Sequence, residues 1–225
     1  MAEVDTTPDG NVPAWRQRAV SRSLTAARSR AEQRVQRFLD AAFELIDEKD
    51  TTEFTIQEVI DRSKQSLRGF YQYFDGKDEL LVALMEETVL ETVNDITTVV
   101  ESESEPIARL RAAIMRLYEW CDPTEVPRVR SAHNRRPISY FTSQLAVTHP
   151  VRVGAALAPI TLMLVELLDG AVAAGALRVD DTFHAAALIQ QVVIHSWNSK
   201  RFVEDPRLWV SFEETWEFCL HGLGV

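Results

Sequence analysis

Apolar residues recur along most of this chain with the spacing of a helix face. Val35, Phe38, Leu39, Ala42, Leu45 and Ile46 fall at i, i+3, i+4, i+7, i+10 and i+11, one stripe that a helix buries as a unit. The charged run Asp47-Glu48-Lys49-Asp50 ends it. Thr55 stands where an N-cap is needed, because its hydroxyl accepts from a backbone N–H two or three residues on. Ile56, Val59 and Ile60 make the inner face of a short helix through Arg62. Ser63-Lys64-Gln65-Ser66 is a polar turn, and Ser66 caps a further helix from Leu67 to Phe74. Phe70 and Phe74 lie four apart on its core side, while Arg68, Gly69, Gln72 and Tyr73 face elsewhere. Asp75-Gly76 breaks the chain, and a longer helix follows whose early acids, Asp78 and Glu79, suit the positive end of its dipole. Two short helices joined by about four residues behind a longer one spell a helix-turn-helix, a spacing that ordinary helical hairpins share.

The rest of the chain keeps the 3.6-residue period. Helices are expected from Glu79 to about Val100, from Ile107 to Trp120, and over 138–148, 151–174, 181–200 and 206–223. Gly175 is a natural stop for the fourth of these. Cys121 to Pro137 reads as a loop, with Pro123, Pro127 and Pro137 in it. Alternating strand patterns are absent, so the expected fold class is all-α. Residues 1–33 read as an Arg-rich, partly disordered arm, 34–80 as the helix-turn-helix domain, and 81–225 as a second helical domain. Within the arm, residues 14–31 fit either a helix or a flexible basic segment.

Composition narrows the setting. The 225 residues are 46% hydrophobic and 26% charged, which suits one or two globular domains. Two isolated cysteines, Cys121 and Cys219, suit a reducing compartment. The N-terminus lacks the apolar segment of a signal peptide. The longest apolar stretch, Ala155 to Leu177, is interrupted by Pro159, Glu166 and Asp169, which favours buried helices over a membrane span. The expectation is a cytoplasmic protein with no membrane partner. Net charge is −10, yet Pro13 to Arg37 holds seven arginines against Glu32 alone. A basic end on an acidic body fits either a local polyanion contact or a solvated arm.

Arg68 and Gln72 are the side chains best suited to base edges: arginine matches guanine O6 and N7, and glutamine matches adenine N6 and N7. Met85, Met115, Tyr118, Trp120, Phe141 and Met163 are candidates for an apolar pocket, although such residues are more often plain core. The loop arginines Arg128, Arg130, Arg135 and Arg136, with His133, offer a counter-charge to an anionic ligand, or are a solvated loop. The five histidines are scattered, without Glu or Cys at ligand spacing, and no phosphate-binding or nucleophile-elbow motif is present. No catalytic residues, metal or cofactor are expected.

The runs Phe38-Leu39-Asp40-Ala41-Ala42-Phe43-Glu44-Leu45-Ile46, Phe54-Thr55-Ile56-Gln57-Glu58-Val59-Ile60 and Gly69-Phe70-Tyr71-Gln72-Tyr73-Phe74-Asp75-Gly76-Lys77-Asp78-Glu79-Leu80-Leu81 resemble, in order and spacing, the DNA-binding domain of the TetR/AcrR family of bacterial transcriptional regulators. The likeness covers roughly residues 34–85. It implies that Thr55 caps the second helix and touches phosphate, and that Gln57 sits near a base edge. It places Leu67, Arg68 and Gly69, after Ser66, at the start of the helix that enters the major groove. Tyr71 matches a tyrosine that contacts backbone or base, and Gln72 stands where a second aromatic is common. Tyr73 replaces the usual histidine, and Lys77 matches a phosphate-holding lysine. Lys64 stands where the pattern has glycine, and Gln65 where it has an apolar residue.

Beyond this domain the resemblance implies a variable helical domain that binds a small effector and forms a homodimer through its last two helices. Val192, His195, Trp197, Phe212 and Trp216 are the candidate interface, with filling of the monomer core as the competing reading. The expected partners are double-stranded operator DNA and a small hydrophobic effector with an optional acidic group. The expected function is a ligand-responsive regulator, a repressor released from a palindromic operator. The alternative is a helical protein-interaction adaptor whose DNA-binding head answers to no ligand; a helical enzyme would need convergent titratable groups that the sequence does not offer.

Overall fold

The computed structural model describes residues 13–49, 51–121, 145–202, 204–205, 207 and 209–223, less the side chains of Ala14, Gln17 and 197–202. Among these residues every regular element is a helix, as the sequence predicts. They run α1 (Ala14–Lys49), α2 (Ile56–Ser63), α3 (Leu67–Tyr71), α4 (Lys77–Val100), α5 (Pro106–Cys121), α6 (Pro150–Ala173), α7 (Thr182–Phe202) and α8 (Phe212–Gly222). The predicted helix over 138–148 and the loop from Cys121 to Pro137 lie almost wholly outside the described residues.

The head is built around Phe38. Its ring meets Phe70 edge-on with centroids 5.5 Å apart and Phe74 edge-on at 6.2 Å. Such pairs add about 0.5–1.5 kcal/mol each beyond the area they bury. Ala42, Ile46, Phe54 and Val59 complete this core. Two ion-pair sets on the surface fasten α2 to α1: Lys49 to Glu58 at 2.6 Å, and Arg62 to Glu48 at 2.6 Å and Glu44 at 3.3 Å.

The same apolar cluster continues without interruption down α4 into the second part. There α4, α5, α6 and α7 pack on one another, and α8 closes over α5 and α7. Helix α6 is long and apolar enough to cross a membrane by length and composition alone. Here Ile160, Leu164, Leu168 and Ala171 bury its inner face in the helical core.

Several expectations need adjustment. Residues 14–33 are neither a loose arm nor a separate element. They are the first half of α1, a single helix of 36 residues. The boundaries read at 33/34 and 80/81 therefore both fall inside helices. Helix α8 starts at Phe212, not Pro206, because Ser211 and Glu214 form a reciprocal capping box there. Gly175 does stop α6. At φ 71° it lets its own N–H reach Val172 O and the N–H of Ala176 reach Ala171 O, both at 2.9 Å.

Candidate nucleic-acid interface

The head presents α3 by means of two caps and one strained turn. At the start of α2, Thr55 Oγ1 accepts from Glu58 N–H at 3.2 Å, and Thr55 N–H donates back to Glu58 Oε2 at 2.8 Å. The Thr55 hydroxyl also donates to Glu58, at 3.0 Å. The Lys49 ammonium first, and then Thr55, hold the Glu58 carboxyl down to about 2. α2 ends at Lys64, whose φ of 55° is left-handed, at a cost of roughly 1–2 kcal/mol for an L-residue. The departure from glycine at this position is thus a real strain. Gln65 offsets part of it by donating to Ser63 O and Lys64 O at 3.4 and 3.3 Å.

Ser66 then caps α3, accepting from Gly69 N–H at 3.0 Å. A Cβ on Gly69 would stand 3.2 Å from Ser66 Oγ and 4.0 Å from the Phe38 ring. Glycine at this position therefore has a packing reason inside the head. The helix itself is shorter than the predicted Leu67–Phe74. After Tyr71 the backbone tightens, with Tyr73 N–H reaching Phe70 O at 3.0 Å.

This geometry sorts the predicted site residues. Leu67, Arg68, Tyr71 and Gln72 are exposed. Among the described residues, no hydrogen-bond or ionic partner engages the side chains of Arg68 and Gln72, or the Tyr71 hydroxyl. Thr55 is committed to its capping box, and Gln57 donates to Asp61 at 2.8 Å. Tyr73 differs from expectation: it is half-buried against the core. Lys77 is half-buried at the first position of α4, its ammonium 4.9 Å above the centre of the Phe54 ring. A cation at that end of a helix opposes the dipole, so the aromatic face is what favours it there.

Among the described residues, the predicted pocket side chains sit in different surroundings. Met85 is fully buried in the core. Tyr118 is buried and donates its hydroxyl to Val210 O at 2.7 Å. Trp120 Nε1 donates to Asp95 at 2.8 Å, and Arg116 holds the same carboxylate at 2.6 Å. Met163 lines a groove of about 230 Å³ with Val100, Arg109 and Glu166, whereas Met115 lines a separate one. Phe141 and the arginine loop around His133 lie outside the described residues.

The candidate interface divides too. Trp216 is only 7% exposed and belongs to the chain's own core. Phe212 is half-buried, edge-on to Tyr118 at 5.9 Å and beneath Arg111 at 5.1 Å. Both aromatics pack within the subunit, as the competing reading of the candidate interface has it. Val192 is half-buried, His195 is exposed, and the Trp197 side chain lies outside the described set. Among the described side chains of α7 and α8, the exposed large apolar residues are Phe183, Leu188 and Phe218.

Two contacts had no signal in the sequence. His149 Nε2 lies 3.0 Å from Asp78 Oδ2, and Arg152 reaches Glu79 at 3.3 Å. They tie the start of α6 to the first turn of α4, beside Lys77.

Residues 38–84 match the model of a family described as bacterial regulatory proteins, tetR family. Among curated proteins nothing matches. Solved structures with the same fold include the transcriptional regulator FadR from Bacillus subtilis in complex with stearoyl-CoA, at TM-score 0.61 and 15% identity, covering 83% of this chain and 98% of that one. RolR in complex with resorcinol has TM-score 0.66 and 17% identity, with 88% and 90% covered. A TetR-family transcriptional regulator from Streptomyces coelicolor has TM-score 0.58 and 15% identity, with 89% and 95% covered. Residues 38–84 thus carry the pattern of the tetR family of bacterial regulatory proteins, and the chain as a whole shares the fold of these solved transcriptional regulators.

Proposed function

We propose that this regulator is a ligand-responsive repressor that binds a palindromic operator as a homodimer in the cytoplasm and is released by a small hydrophobic molecule. The observation that carries the DNA reading is the state of α3. The outward side chains Arg68 and Tyr71, and Gln72 at its C-cap, are exposed and uncommitted among the described residues, on a helix fixed by Ser66 and by Phe70. Side chains held ready in this way suit base edges and phosphates. A single short helix grips weakly, and a two-fold dimer reading two half-sites is the usual remedy. Phe183, Leu188 and Phe218 supply exposed apolar surface on the last two helices for that pairing.

The ligand reading rests on the fold and on neighbours solved with stearoyl-CoA and with resorcinol. Release requires a ligand that prefers the conformation unable to bind DNA, and coupling of about 1–3 kcal/mol changes affinity roughly 5–150-fold. The test is fluorescence anisotropy on DNA from upstream of the protein's own gene, followed by a metabolite screen for release. Salt-sensitive binding that outcompetes random duplex supports the reading. Equal affinity for both duplexes would overturn it. A releasing metabolite must also bind more weakly when operator is present, by the same factor; equal affinities would remove the coupling.

A further inference from the structure

The first half of α1 has no packing duty. From Pro13 to Gln33 its described side chains are exposed apart from Ala31, and the stretch to Arg37 carries seven arginines against one glutamate. We propose that this helical extension is a second, sequence-independent DNA-binding element that lies along the phosphate backbone flanking the half-site read by α3; this rests on the DNA-binding reading above.

Three observations carry it. First, shape: a helix with its side chains is about 10–12 Å across, while the minor groove is about 6 Å wide. A basic segment folded as α1 does not enter that groove as an extended arm would, but its arginines reach the phosphates along the rim. Second, direction: α3 packs at the level of Phe38, so Ala14 lies about 24 residues, or roughly 36 Å, beyond it along the same rod. That is about one turn of B-DNA. Third, orientation: at about 100° per residue, Arg30, Arg34 and Arg37 share the sector of α1 that holds Glu44 and Glu48, the residues paired to Arg62 of α2. They therefore line the side of the rod that carries the reading head. Arg28 is excluded, because Glu32 neutralises it at 2.7 Å.

The occupant is chosen by charge. Residues 13–37 are net +6 while the chain as a whole is −10. A second copy's acidic body is the rival, and the exposed Val20 and Leu24 would serve it. Arginines of one sign along a full turn match a regularly spaced polyanion better.

The test compares wild type with R30Q/R34Q/R37Q and R30K/R34K/R37K on a mixed-sequence duplex of about 40 base pairs, with affinity measured from about 50 to about 200 mM salt. Each phosphate contact contributes about 0.9 to the log–log slope. The glutamine variant should be shallower by about two to three, with the wild-type thermal midpoint; the lysine variant should keep the wild-type slope. Wild-type binding with an unchanged slope in the glutamine variant would overturn this proposal alone. Failure of the wild type to bind any duplex would overturn the DNA-binding reading with it. A changed mass in solution for the glutamine variant would make the extension a contact between copies and overturn it as well.

Discussion

The hydroxyl oxygen of Ser66 stands 3.2 Å from where a Cβ on Gly69 would lie, and the same oxygen accepts the Gly69 N–H at 3.0 Å. Cap and glycine therefore constrain each other. Ser66→Ala should cost about 0.5–2 kcal/mol of stability. Gly69→Ala should gain less than the roughly 1 kcal/mol that helix propensity offers, because the new methyl presses on an oxygen held by its own cap. In the double variant the contact is relieved, so its stability should exceed the sum of the singles. Urea denaturation of the four proteins checks this, and simple additivity would remove the argument.

Arg68→Ala should leave folding unchanged, since no partner of Arg68 within the described structure is lost. Its cost should appear on DNA, at about 1–3 kcal/mol for the preferred site, with relaxed selectivity at one base position. Competition binding against single-base operator variants reads this directly. Undiminished affinity and selectivity would leave Arg68 without a reading role.

The Lys49–Glu58 pair gives the head a defined response to acid. The folded carboxyl of Glu58 is depressed from 4.5 to about 2. The stabilisation it brings is fully present above about 4.5 and is lost as pH falls towards about 2. Lys49→Met should raise the Glu58 titration and flatten this part of the melting-temperature profile. The Thr55 bonds remain, so the titration should stop short of the ordinary value. A carboxyl-carbon NMR titration of Glu58 that does not move in the variant would show that Lys49 is not the main cause.

Trp216 and Phe218 should separate folding from association. Trp216→Ala empties a buried site and should cost about 3–5 kcal/mol of stability. Phe218 is 68% exposed, so Phe218→Ala should leave the isolated subunit as stable while weakening dimerisation. Sedimentation velocity across a dilution series gives the second effect. A dimer constant unchanged by Phe218→Ala would place the interface elsewhere.

What could be read from the sequence was local. The stripe from Val35 to Ile46, the caps at Thr55 and Ser66, and the inward turn of Phe70 and Phe74 all follow from spacing within one or two helical turns. The rest depends on contacts from further away. Nothing near Trp216 or Phe218 tells which aromatic meets the body of the fold. The pairs His149–Asp78 and Arg152–Glu79 join residues over seventy positions apart, and exposed charges carry no periodic signal. Met115 and Met163 share a residue type and not a place, because they sit on different helices and line separate grooves. The capping box at Ser211 and Glu214 was legible, and an apolar run extending upstream obscured it.

Helix α4 begins beside the Phe54 ring at Lys77 and ends at Val100 in the body, with no joint between. The reading head is therefore not a detachable module. A fragment ending at residue 80 would cut α4 after its first turn and remove Leu81, Leu84 and Met85 from a cluster that also holds Phe38 and Phe70. Any chimera that grafts this head onto another sensor has to be spliced within α4. One residue gained or lost at the splice turns the head by about 100° against its new body.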